Sequence, residues 1–135
     1  MPGRSAFQYT ILRVVPRVER GERMNVGVVV HCPERKYLGV CVELDEKRLA
    51  ALAPGLDPAT VRAGLDAVVA VVERDPAGGQ LTELSDSERF GWVAAPSSTM
   101  IQPSHVHTGL SDDPEATLEH LCESLVRPGR ATGPG

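Results

Sequence analysis

Two runs of strand-forming residues separated by only four turn residues commit this chain to an antiparallel hairpin. Met24 to Cys32 alternates, with Met24, Val26, Val28 and Val30 on one side and Asn25, Gly27, Val29 and His31 on the other. Pro33-Glu34-Arg35-Lys36 makes the turn, and Tyr37 to Leu44 returns with Leu38, Val40, Val42 and Leu44 again two residues apart. Successive side chains of a strand point to opposite faces. If both apolar sets share one face, paired residue numbers must sum to an even value. Cys32 and Cys41 then lie on opposite faces, and no disulfide between them is predicted.

A further strand precedes the hairpin. Phe7 to Val15 places Phe7, Tyr9, Ile11 and Val15 on one face, and Pro16 ends it. Thr99-Met100-Ile101-Gln102 has the composition of a short extra strand, and Pro103 to Ser111 reads as a histidine-rich loop. The helices come later. Asp45 can cap a short helix over 46–53, which Pro54-Gly55 stops. Asp57-Pro58 opens a longer one of about 18 residues, with Val61, Leu65, Val68, Val69 and Val72 at helical spacing and Asp75-Pro76 closing it. Residues 77–84 read as loop. Ser85 and Glu88 have capping-box spacing for a short turn toward Trp92. Asp112 or Asp113, before Pro114, caps a last helix with Leu118, Leu121, Cys122, Leu125 and Val126 in one stripe. Strands first and helices afterwards predict an α+β fold: an antiparallel sheet of three to four strands, covered by helices, with a C-terminal helix. The Val61–Val72 helix is expected on the face carrying Met24, Val26, Val28 and Val30.

With 135 residues, the chain reads as one domain over 7–127, with 1–6 a flexible leader and 128–135 a disordered tail. Aromatics are only 4% against 41% apolar residues, so the interior must be built from Val, Leu and Ala. A net charge of −4 argues against nucleic-acid binding by bulk charge. No apolar window approaches the roughly 18 residues that span a membrane, and the N-terminus lacks a signal peptide's apolar stretch. Cys32, Cys41 and Cys122 form no C-x-x-C pair and read as small buried hydrophobes. A cytoplasmic protein is the expectation.

Charge is nevertheless uneven. Arg4, Arg13, Arg17, Arg20 and Arg23 crowd the N-terminal stretch against Glu19 and Glu22, which leaves room for a local anion site. Arg13 has the parity of Phe7, Tyr9 and Ile11, so its guanidinium points inward and needs a partner. Glu22 is the first candidate and Glu43 the second. Arg20-Gly21-Glu22 then leads into the second strand, where Asn25 and Gly27 share the face opposite the valines. A mid-strand glycine loses packing unless something approaches closely there, whether a helix, a partner or a ligand. A structural salt-bridge network and a binding site both fit these residues.

The string Tyr9-x-x-Leu12-Arg13-x-x-Pro16-x-x-x-Arg20-Gly21-Glu22-x-x-Asn25-Val26-Gly27-Val28 resembles the opening signature of the bacterial family called Domain of Unknown Function 3037. Gly109 to Asp113-Pro114 and the Leu-rich helix after it are similar to that family's C-terminal part. The likeness covers most of 7–127, and Arg13, Arg20, Glu22 and Asn25 match the signature. The resemblance implies no particular activity. Members are small stand-alone proteins often encoded beside a HipA-like kinase, which implies a partner role.

Other chemistries find less support. His105-x-His107 would put two imidazoles on one side of an extended segment, as a metal pair needs. Its remaining ligands would have to come from His31, Asp112 or Asp113 through the fold, so no metal is assigned. Ser97-Ser98 lacks the glycines of a nucleophile elbow. Ala77-Gly78-Gly79-Gln80 follows a helix and lacks the lysine of a phosphate loop. No catalytic residue and no cofactor is assigned. Two functions remain: a non-catalytic interaction or accessory protein, with a HipA-like kinase as the implied partner, or a small enzyme or ligand-binding domain for an anionic substrate. The second would use Arg13, Arg20, Glu22 and Asn25, with His105 and His107 contributing. A pocket uniting the arginines with the histidines would favour it.

Overall fold

The computed structural model describes residues 3–17, 20–96 and 100–127. The expected tail at 128–135 and the Ser97-Ser98 pair lie outside them. In chain order the elements are β1 (Ser5–Val14), β2 (Met24–Cys32), β3 (Tyr37–Val42), α1 (Glu46–Leu52), α2 (Pro58–Val72), α3 (Asp86–Ala94), β4 (Ile101–Pro103), β5 (His107–Ser111) and α4 (Pro114–Leu125). The fold is α+β. Five antiparallel strands form one sheet in the order β3-β2-β1, with β4 and β5 both pairing the outer side of β1. The stretch expected to be a histidine-rich loop therefore contains a strand. Between β4 and β5 the ladder is patched by Ser104. Its Oγ accepts from the Ile11 N–H at 2.9 Å, its N–H reaches the Ile11 carbonyl, and Thr10 Oγ1 donates to its carbonyl.

Side-chain caps set the helix starts. Asp45 accepts from the Lys47 and Arg48 amides, Asp57 from Ala59 and Asp113 from Ala116. Ser85 and Glu88 make the reciprocal capping box that opens α3. Pro76–Glu83, expected as loop, is 3-10 helix interrupted at Gly79.

The hairpin is present, but its register overturns the even-sum expectation. Val28 pairs with Cys41 and Val30 with Gly39, so paired numbers sum to an odd value. The physical reason lies in β2. Leu12 pairs with Gly27 while Arg13 pairs with Asn25, so Val26 is an extra residue with no partner on β1. Such a bulge reverses which parity points to which face. Met24 and Val26 consequently join Leu12, Val14 and Val29 beneath α2 and α3, with Val61, Leu65, Phe90 and Val93. Val28, Val30 and Cys32 join Phe7 on the opposite face, covered by α4 through Cys122 and Val126. The Val61–Val72 helix thus covers Met24 and Val26 as expected, but not Val28 and Val30. At the centre of the sheet, β1 and β2 are thus covered on both faces.

The same shift corrects the cysteines. Cys32 and Cys41 share the α4 face and are not bonded to each other. Cys41 instead forms a disulfide with Cys122, across a Cα–Cα distance of 6.3 Å, and Cys32 is the free, buried one. Two of the three cysteines are therefore a cross-link between β3 and α4, not simple hydrophobes. Gly27 is explained by its own sheet. A Cβ there would come within 2.9 Å of the Cys41 carbonyl oxygen and 3.0 Å of a Val42 methyl, so what approaches it closely is β3.

Candidate functional site

The fold divides the residues of the N-terminal signature. Asn25 turns to the α4 face, where its Nδ2 donates to the Leu125 carbonyl at 3.0 Å, satisfying one of the helix's last acceptors. Arg13 stands opposite Asn25 on β1. Neither expected carboxylate reaches it. Glu22 pairs with Arg20 at 3.1 Å, and Glu43 pairs with Arg127. The Arg13 Nε is buried with no hydrogen-bond partner. Burial, and then the nearby Arg23, lower the pKa of this guanidinium below its ordinary value. Arg20 and Glu22 belong elsewhere, to a depression of about 500 Å³ lined by Pro16, Arg17, Leu52 and Leu56 among others. Gly21, between them, has φ of +69°, a conformation that favours glycine, which explains the Arg-Gly-Glu order as a turn into β2.

The histidines do not join this group. His107 stacks on Tyr9 across the β1–β5 pair, ring centroids 5.0 Å apart, and is exposed. His105 is exposed between β4 and β5. Neither histidine lines a described cavity. His31, the residue proposed to complete a metal set, lies on the other face against Phe90. Among the described residues, one set of three ligand-type atoms converges within 4.8 Å, namely Cys41, Glu43 and Cys122, and its two sulfurs are bonded to each other.

Two features gave no sequence signal. Arg89 is 2% exposed and binds the ends of other elements. Its Nη1 donates to the Val71 and Val72 carbonyls at the end of α2, its Nε to the Leu84 carbonyl, and its Nη2 to Asp86. A guanidinium with that many acceptors is a fastener between α2 and α3 rather than a reagent. The second feature is a groove of about 680 Å³ beside β3. Residues 37–41 form one side, and Asp113, Glu115, Ala116, Leu118 and Glu119 of the α4 segment form the other, with Glu73 also lining it. Burial raises the pKa of the Tyr37 phenol in this groove, and Glu115 and Asp113 raise it further. A third cavity, about 780 Å³ between α2, α3 and β4, is mostly apolar, with Thr60 and Trp92 at its wall.

A family model described as protein of unknown function (DUF3037) matches residues 9–126. No curated protein and no solved structure is matched by this chain.

Proposed function

The chain belongs to the DUF3037 family, and from that premise we propose that it is a non-catalytic interaction protein. The observation that supports this reading most is the scatter of its polar groups. Arg13 and Asn25 lie at the end of α4, Arg20 and Glu22 at a separate depression, and His105 and His107 on the far edge of the sheet. A catalytic constellation needs nucleophile, base and charge stabiliser around one reacting atom, and these signature residues and histidines stand at three separate places instead. The partner implied by the family's gene neighbourhood is a HipA-like kinase, met in the cytoplasm. No helix among the described residues is long and apolar enough to cross a membrane. Purification of the tagged full chain from its native host, followed by mass spectrometry, tests this. A kinase of that type in stoichiometric amount is the expected outcome. Recovery of the chain alone, across several growth conditions, overturns the reading.

One observation favours a second reading, in which an anionic ligand or partner group meets the Arg/Asn pair. Arg13 Nε is desolvated and unpartnered, with a second arginine close by, an arrangement that an anion would stabilise. In that reading Arg13→Met abolishes binding of the anionic partner while the fold persists.

A further inference from the structure

We propose that the outer edge of β3 is a docking edge for an extended, basic segment of a partner protein, which adds to the sheet as a further strand. The inference rests on the interaction reading above and gives its partner a chemistry.

The backbone argument comes first. Glu43 donates its N–H to the Val26 carbonyl at 2.8 Å. In an antiparallel ladder the residues that bond the neighbour alternate with residues whose groups point away. Tyr37, Gly39 and Cys41 therefore bond β2, and Leu38, Val40 and Val42 turn their N–H and C=O groups outward. Among the described residues no strand pairs with that side. A row of open backbone groups is a template for another chain, and folded proteins commonly blunt such edges with charge, proline or a bulge. The two borders of this sheet differ in this respect. On the far side β4 is three residues long, ends in Pro103, and is parted from β5 by the Ser104 patch. Tyr37–Val42 has no charged residue, no proline and an unbroken register. Its six residues span about 20 Å, the length of an ordinary strand.

The groove supplies the charge argument. Its lining includes Glu73, Asp113, Glu115 and Glu119 and no lysine or arginine. Arg127 engages Glu119, which leaves the other three carboxylates to set the potential over the edge. A strand carrying Lys or Arg on alternate positions would place cations against them while its backbone completes the ladder. A second copy of this chain paired edge to edge would bring two such acidic walls together, and like charges oppose that arrangement.

The test uses the full chain and two synthetic peptides, Lys-Val-Lys-Val-Lys-Val-Lys and its counterpart with Glu for Lys. The expected result is binding of the lysine peptide at least tenfold tighter than the glutamate peptide, weakening with salt, with slowed amide exchange at Leu38, Val40 and Val42. Val40→Pro removes one outward N–H at a position where an edge strand tolerates proline, and should abolish binding. Should that variant fail to fold, the surface pair Glu73→Lys with Glu115→Lys should still weaken binding at least fivefold. Equal affinity for both peptides, or unchanged exchange along β3, overturns the proposal. So does a concentration-dependent dimer that protects β3 without peptide. A stoichiometric cellular partner retained by Val40→Pro sinks the docking edge but leaves the interaction reading standing, whereas the absence of any partner sinks that reading itself.

Discussion

Beneath α2 and α3, eleven buried residues make one continuous apolar cluster; beneath α4 there are six, two of them cysteines. The first layer is joined to the sheet by area, with Leu49, Val61, Leu65, Phe90 and Val93 set into β1 and β2, and Arg89 tying α2 to α3. The second is a single helix of 12 residues in which only Pro114 and Cys122 are buried. It is held at points: the Cys41–Cys122 bond, the Asn25 hydrogen bond to Leu125, and Arg127 reaching Glu43 on one side and Glu119 on its own helix. A short amphipathic helix with little buried area needs such fastening, because packing rather than propensity stabilises helices. The wall of the β3 groove is the layer with the least apolar support.

The largest effect should come from removing the covalent fastening of α4. The bond joins residues 81 apart in sequence, and cross-linking a loop of that size restrains the unfolded chain by about 4 kcal/mol. Cys122→Ser, or a reducing agent on the unaltered chain, should lower stability by that amount in urea unfolding, and the two treatments should not add. Amide exchange should rise in α4 first. Equal loosening of α2 would show that the two layers are one cooperative unit. In a reducing compartment, where thiols are kept reduced, α4 depends on Asn25 and Arg127.

Leu65→Ala tests the other layer. Leu65 is 2% exposed within the larger cluster, and such truncations cost about 3 kcal/mol, more where the cavity cannot collapse. The expected signature is a denaturant midpoint lowered by the same amount, relative to the parent chain, with and without reductant. A midpoint within error of the parent chain would place α2 at the periphery.

Helix starts are legible in the sequence because capping is local chemistry: Asp45, Asp57 and Ser85 with Glu88 each cap where the spacing places them, and of the two candidates Asp112 and Asp113 it is Asp113 that caps. The α+β class followed from element order. The faces were not legible, because Val26 is apolar and satisfies the alternation whether or not it is a bulge; only its pairing with β1 reveals the extra residue. β5 was hidden because His107-Thr108-Gly109 carries no apolar alternation and earns its hydrogen bonds from β1. Arg89 carries no sequence signal, because its acceptors at Val71, Val72 and Leu84 come together only in the fold. Of the signature residues, the sequence identified a group, while the fold divides it into an Arg13–Asn25 half and an Arg20–Glu22 half.

A smaller effect concerns pH and again separates the layers. His31 is 3% exposed under α3, its Nδ1 has no partner, and its ring lies 5.3 Å from that of Phe90. Burial lowers its pKa below the ordinary 6.5; Asp86 opposes the shift and Arg89 reinforces it. The unfolded chain therefore takes up the proton before the folded one does. Stability is fully present above pH 6.5 and falls as pH drops from there toward the lower folded value. The denaturant midpoint of the parent chain should decline between pH 7.5 and 5, and His31→Leu should flatten that decline. An equally steep decline in the variant would assign it to another group.

The smallest expected change in stability belongs to Arg13, and it carries the most information about function. Parity made this residue a buried charge in need of a carboxylate, and loss of one partner from a buried pair costs roughly 3–5 kcal/mol. The fold removes that premise: Glu22 and Glu43 are engaged by Arg20 and Arg127, and the Arg13 Nε is desolvated without a partner. Arg23 adds repulsion. Replacing the guanidinium therefore forfeits no ion pair with either of those carboxylates, relieves part of the desolvation and the like-charge contact, and loses the packing of the aliphatic stem. Methionine keeps most of that stem. Arg13→Met should therefore leave the urea midpoint within about 0.5 kcal/mol of the parent, or raise it slightly. An unchanged midpoint together with loss of an anionic partner would move the Arg13–Asn25 end of α4 from structure to binding. A loss of several kcal/mol would instead return Arg13 to the structural network, and the second functional reading would fall with it.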